Sequence, residues 1–274
     1  MKKLIKKIFG KDIKRNQYGW FGDYPNWQMA VNNTSGYASK NILEKTKNAL
    51  LKIKAGEAIY ERDSVLFDKK QYPFPLISCL LHIASGNNNK LNVIDFGGSL
   101  GSSWFQVKDF LKYLTKVNWH VVEQKEYVSC GKELFKNDEL DFFYNIDESI
   151  TIQKPNVIVL SSVIQYLEKP HDFINKLIDY NIDYILFDRT AFVLREKDRL
   201  TKQIVPPEIY EASYPAWFFN EKNFLKPFLH KYDLIAEFTS YVEGESMMNI
   251  DNQPIGYDKG FLLKKLDAQL LHTL

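Results

Sequence analysis

Cysteine is scarce: the 274-residue chain holds two, Cys79 and Cys130, too few for a disulfide framework or a cysteine-built zinc site. A stapled secreted scaffold is thereby excluded, and a reducing cytoplasm is the expected location. The five histidines, His82, His120, His171, His230 and His272, stand apart, and no HExxH or CxxC spacing occurs, so no metal centre is expected. The chain lacks the Gly-Lys-Ser/Thr ending of a phosphate-binding P-loop. No apolar run approaches the ~18 to 20 residues of a membrane-spanning helix. The lysines of MKKLIKKIFGKDIKR lie among its apolar residues instead of ahead of them, so a cleaved export signal is not expected either.

Net charge is also small, +2, but it is unevenly placed. Residues 1 to 15 carry Lys2, Lys3, Lys6, Lys7, Lys11, Lys14 and Arg15 against Asp12, a local +6, which leaves −4 for residues 16 to 274. A slightly acidic body does not supply the basic stripe that offsets nucleic-acid phosphates, so no nucleic-acid partner is expected. In the tail, Leu4, Ile5, Ile8 and Phe9 recur at helical spacing between lysines. That pattern suits peripheral contact with the inner face of a membrane, and equally a solvated terminus that packs locally.

What is present is an ordinary globular composition, 45% hydrophobic, 15% aromatic and 26% charged, in a length that suits one large domain with an appendage. Residues 16 to 90 read as a helical, aromatic-rich extension or lid. Ile42, Leu43, Leu50 and Ile53, and then Leu76, Ile77, Leu80 and Leu81, have helix-like spacing. From residue 91 strands and helices alternate. Leu91 to Phe96 is a β-prone run, followed by a glycine turn and a helix face of Trp104, Val107, Leu111 and Leu114. Further strands are expected at Trp119 to Glu123, Phe142 to Ile146, Val157 to Ser161 and Tyr184 to Phe187. This alternation specifies an α/β domain over residues 91–265, a mainly parallel sheet with helices on both faces. Residues 188–228, with Pro206, Pro207, Pro215 and Pro227, read as a long functional loop on the substrate side; two final β-prone runs, Leu234 to Phe238 and Gly260 to Lys264, complete the sheet before a tail at 266–274.

The sharpest local signal is Asp95-Phe96-Gly97-Gly98-Ser99-Leu100-Gly101, where a buried strand hands over to a helix. Glycines there let the backbone approach a ligand closely. The spacing is not the G-x-G-x-x-G of dinucleotide enzymes; it fits D-x-G-x-x-x-G, the turn of S-adenosylmethionine enzymes with this sheet. Glu123, at the end of the second strand, can accept both hydrogen bonds of a ribose diol, a role that NAD enzymes also give to an acid in that position.

Together VIDFGGSLGSSWFQ, HVVEQKEYV, SSVIQYLEKP and FDRT resemble the Rossmann-like S-adenosylmethionine-dependent methyltransferases. More narrowly, GDYPNWQMA with SGY, GEAIYERDSVLFD and YPAWFF resemble a bacterial methyltransferase family associated with surface-polysaccharide biosynthesis. The resemblance spans roughly residues 20 to 265. It implies a seven-stranded sheet with the last strand antiparallel, S-adenosylmethionine as cofactor, and a saccharide or glycan-precursor acceptor in a capsule or lipopolysaccharide pathway. By the same resemblance, Asp95, Gly97, Gly98 and Gly101 face the methionine part and Glu123 the ribose. Gln124 and the turn Asn145 to Asp147 face the adenine, Ser161 and Ser162 the sulfonium, and Arg62, unless it is a surface ion pair, the methionine carboxylate. Ser99 departs from the glycine that many members of the superfamily carry there.

For proton removal Asp188, at the end of the fifth strand, is the first choice of catalytic base and His171, whose ordinary pKa lies near neutrality, the second. Arg189 is expected to hold an anionic acceptor group or to neutralise Asp188. The expected reaction is O-methylation of a carbohydrate-type acceptor. N-methylation of an amino sugar or small metabolite is the alternative within enzymes, and a non-catalytic binding protein the alternative outside them.

Overall fold

The computed structural model describes residues 17–35 and 39–267. The basic tail of residues 1–15 and nearly all of the 266–274 tail lie outside them. In chain order the elements are β1 (Gly19–Phe21), α1 (Trp27–Val31), α2 (Ser39–Lys54), β2 (Tyr60–Arg62), β3 (Val65–Phe67), α3 (Phe74–Ser85), β4 (Lys90–Phe96), α4 (Ser102–Leu111), β5 (Lys116–Val122), α5 (Lys125–Leu134) and β6 (Leu140–Phe143). They continue as α6 (Ile146–Ile152), β7 (Val157–Ser161), α7 (Pro170–Asp179), β8 (Tyr184–Val193), β9 (Arg199–Val205), β10 (Ala212–Phe218), α8 (Glu221–Leu225), β11 (Tyr232–Thr239), β12 (Met248–Ile250) and β13 (Gln253–Lys265). Among the described residues no helix is long and apolar enough to cross a membrane.

Residues 91 onward build the expected parallel centre. β6, β5, β4, β7 and β8 lie side by side in that order, all parallel, and β13 adds antiparallel to β8 with β11 antiparallel to β13. Period-two alternation sends successive side chains to opposite faces. Val157 and Val159 join a core with α3, α4 and α5 (Leu80, Trp104, Val107, Val128), while Ile158 and Leu160 join one with α6, α7 and α8 (Ile146, Ile174, Leu177, Phe224). The second core is dense in aromatics. Phe187 meets Phe224 and Phe228 edge-on at 5.0 and 5.6 Å, each ring fully buried and each contributing ~1.5 to 3 kcal/mol by burial.

Three expectations need correction. Among the described residues the main sheet has eleven strands, not seven: β12, β1, β9 and β10 continue it beyond the first residues of β13. The segment 188–228, expected to be a long loop, is about half strand. Its prolines concealed this because Pro215 sits in β10, which pairs only with β9 and so needs no amide donor on its outer side. The region 16–90 is likewise not purely helical. It contributes β1 to the main sheet between β9 and β12, and β2 and β3 form a hairpin whose two turn residues, Asp63 and Ser64, have φ of 52° and 68°, the left-handed pair that a tight hairpin of this twist demands.

Candidate active site

β4 is the point where the strand order reverses: the chain leaves it through α4 to β5 on one side, and β7 later adds on the other. A crevice at the carboxyl ends of such strands is where α/β sheets bind ligands. A cavity of about 940 Å³ opens there, at the large end of the ~300 to 1,000 Å³ usual for small-molecule sites. Its walls reach from the β4–β5–β6 side, with Phe96, Gly97, Gly98, Ser99, Val122, Glu123, Gln124 and Tyr144, to the added strands, with Trp20, Gln203, Val205, Tyr214 and Ala216.

The glycine turn is shaped by its neighbours. Gly97 has φ of 73° and a Cβ there would lie 2.3 Å from a Val163 methyl; a Cβ on Gly98 would lie 2.4 Å from the Asp95 carboxyl. Gly97 and Gly98 thus present backbone to the cavity, and Ser99 lines it beside them. The turn ends at Gly101, φ 91°, which starts α4 without any side-chain cap, and Ser102 and Ser103 of that first turn line the cavity. Open helix-start amides facing a cavity are an anion-accepting feature.

Asp95 itself is 1% exposed and lies behind the turn. Trp119 Nε1–H donates to its Oδ2 at 3.0 Å, Oδ1 has no partner, and burial pushes the carboxyl up to about 7. Glu123 follows β5, its own amide bonded to Phe143 O at 3.1 Å and its Oε2 accepting from the Gln124 amide at 2.7 Å. Burial raises its carboxyl as well. Gln124 and Tyr144 line the same end.

Where β7 ends and β8 is half way along, Ser161 Oγ donates to Asp188 Oδ2 at 2.7 Å, and the Ser162 amide donates to Asp188 O at 2.9 Å; Asp188, expected at the end of its strand, is followed by five more residues of β8, to Val193. Asp188 is 2% exposed, its Oδ1 lacks a partner, and burial pushes its carboxyl upward. Ser162 and Arg189 hold left-handed φ of 51° and 49°, conformations costly for side-chain-bearing residues and characteristic of functional sites. Arg62, at the base of the hairpin turn, lines the cavity, donates to Gln71 and lies 4.9 Å over the Phe67 ring.

Of the expected site residues, Gly97, Gly98, Glu123, Gln124, Ser161, Ser162, Asp188 and Arg62 are brought to one cavity. Asp95 and Gly101 support the turn from behind. Asn145 is not among the lining residues: its side chain caps α6, accepting from the Glu148 amide at 2.8 Å, and Tyr144 faces the cavity in its place. His171 is also outside. It lies at the start of α7 and pairs with Asp198 at 2.6 Å, which raises its pKa through that hydrogen bond. Arg189 does not neutralise Asp188 by direct pairing; its guanidinium binds Asp63 at 2.9 Å and Glu245 at 2.7 Å.

Sequence reasoning passed over Glu245 and Asp258, both of which line the cavity. The expected last strand begins only at Gly260, two residues past Asp258, and Asp258 is 6% exposed in the fold. Tyr166, Tyr210 and Tyr214 were also missed as a group. Tyr166 Oη donates to Gln203 Oε1 at 2.9 Å, and the Tyr210 and Tyr214 hydroxyls lie 3.1 Å apart. Among the described residues no cluster of three or more potential metal ligands occurs.

No protein-family model and no curated protein matches the chain. Solved structures similar to it include the N-terminal domain of EvdMO1 with SAH bound, at 8% identity and a TM-score of 0.49 over 84% of this chain and 98% of that one. Others are magnesium protoporphyrin IX methyltransferase (ChlM) from Synechocystis PCC 6803 with bound SAH, at 11% identity and a TM-score of 0.46 over 83% and 100% of the two chains. The glycopeptide N-methyltransferase MtfA complexed with SAM is similar at 9% identity, TM-score 0.42, over 64% and 86%.

Proposed function

We propose that the protein is an S-adenosylmethionine-dependent methyltransferase that methylates a hydroxyl oxygen of a carbohydrate-type acceptor, a component of a surface polysaccharide. The observation that carries this reading is the convergence of the side-chain-free pair Gly97–Gly98 and the Glu123 carboxylate on one cavity at the strand-order reversal. The residues fit the cofactor. Glu123 would accept from two ribose hydroxyls, Gln124 and Tyr144 would meet the adenine, the turn and the start of α4 with Arg62 would take the methionine carboxylate, and Ser161 and Ser162 would lie near the sulfur.

Bound, the cofactor supplies a methyl group on a cationic sulfur. The chain has to align an oxygen with that methyl and take its proton. Asp188 is suited to accept the proton, because Ser161 and its place within β8 fix its orientation and burial gives it a higher basicity than a solvated carboxylate. Ser161 holds one oxygen while the other remains for the acceptor hydroxyl. Calorimetry with S-adenosylmethionine and with NAD tests the cofactor, and transfer of label from methyl-labelled S-adenosylmethionine into glycan precursors tests the acceptor. Tighter binding of NAD would overturn the reading.

A further inference from the structure

Six carboxyl side chains line the cavity, Glu61, Asp63, Glu123, Asp188, Glu245 and Asp258, against two guanidinium groups, Arg62 and Arg189; its described lining includes no lysine or histidine. The guanidinium groups are occupied. Arg189 Nη2 donates to Asp63 Oδ2 at 2.9 Å and to Glu245 Oε1 at 2.7 Å, and its Nε donates to Glu245 Oε2 at 3.0 Å, a two-pronged pairing that uses its fork. Arg62 is held by Gln71 and the Phe67 ring, and the proposed cofactor carboxylate would take what remains. Asp188 and Asp258, by contrast, are 2% and 6% exposed and each keeps one oxygen without a partner. Burial, and for Asp258 the nearby Glu245 charge, pushes both carboxyls upward.

An anion entering beside this wall meets two carboxyl groups already bound to Arg189, buried acids that resist ionising, and no uncommitted cation to offset the water it gives up. A hydroxyl group meets carboxyl oxygens that lack a partner. A protonated amine would be held too, but it carries no lone pair to methylate. Tyr166 and Tyr214, packed edge-on with centroids 5.4 Å apart, lie on the side of the added strands and offer apolar ring surface to the carbon skeleton of such a group.

We infer that the wall formed by Asp188, Arg189, Glu245 and Asp258 selects the acceptor, taking an uncharged polyhydroxyl ring and rejecting one that bears phosphate or carboxylate. This deepens the methyltransferase reading and takes the transfer step from it. Arg189 acts here as a specificity-determining residue through its neutralisation by Asp63 and Glu245.

The test titrates the full chain, with and without S-adenosylhomocysteine, with neutral methyl glycosides and with the matching glycosyl phosphates, followed by ligand-observed NMR. The wild type is expected to bind the neutral glycosides at least tenfold more tightly. Glu245→Gln, or Asp63→Asn on the hairpin turn if the first variant folds poorly, frees part of the Arg189 charge and is expected to strengthen phosphate binding at least tenfold. A damaged fold would not produce that gain. Asp258→Asn is expected to weaken neutral glycosides at least tenfold with S-adenosylhomocysteine affinity within threefold of wild type. Equal or tighter binding of the phosphates by the wild type, or binding of neither class, overturns the inference. Failure of S-adenosylhomocysteine alone to bind overturns the methyltransferase reading instead, since the glycoside preference is also read without it.

Discussion

Replacing Asp95 by Asn is the most exacting check on the buried centre of the site. Asn has nearly the same shape and can keep the bond from Trp119 Nε1, so the substitution removes the ionisable proton and little else. In the fold the Asp95 carboxyl is pushed from an ordinary 3.8 to about 7, chiefly by burial. An acid whose folded pKa is raised stabilises the protein fully only below its unfolded pKa; that stability drains away as pH rises through the interval up to the folded value and then levels off. The whole interval corresponds to about 4 kcal/mol at ~1.36 kcal/mol per pKa unit. Between about pH 4.5 and about pH 8.5 the cofactor-free Asn variant should therefore gain roughly 3 kcal/mol on the wild type. Urea unfolding of both proteins across that range measures the difference, and Glu61, also raised to about 7, is present in both and cancels. A difference between the two that stays flat within ~0.5 kcal/mol across the range would show that Asp95 is not held protonated and would refute its role as the turn's buried support.

Glu123→Ala should weaken S-adenosylhomocysteine binding by removing charge-assisted bonds worth ~1.5 to 3 kcal/mol, about 10 to 150-fold, by calorimetry. Asp188→Asn should lower methyl-transfer turnover about 100-fold with cofactor affinity intact. His171→Gln, whose side chain turns to Asp198 and not to the cavity, should leave turnover within about threefold. Gly98→Ala places a Cβ 2.4 Å from the Asp95 carboxyl, which Trp119 pins, and should cost ~1 to 3 kcal/mol in urea unfolding; an unchanged midpoint would mean that Asp95 moves freely.

The parallel centre and the glycine-turn end of the cavity were legible because their signals are local. A strand, the glycines and the helix of residues 93–106 adjoin in sequence, and Glu123 closes the next strand. The opposite wall was not legible because it is assembled from far-apart pieces. Asp63, Glu245 and Asp258 belong to a hairpin, the segment between β11 and β12, and the last strand, and nothing local indicates that Arg189 joins the first two. His171 looked catalytic on the strength of its residue type; in the fold it pairs with Asp198, outside the cavity lining. Asn145 looked like a ligand contact and is a helix cap. The strands of 188–228 were hidden by prolines that an edge position tolerates.

The insertion of β1 between β9 and β12 also sets an order of events in time. Gly22 N–H donates to Asp251 Oδ1, 229 residues further along the chain, and Trp20 registers with Ile250. Contacts of such separation carry a large loop-closure cost and form slowly. On a ribosome, at ~5 to 20 residues per second, β4 to β7 can pair while β12 is still unmade, but the floor under Trp20 must wait for nearly the whole chain. The half that would hold the cofactor is therefore able to mature during synthesis, and the half that would choose the acceptor closes only after it.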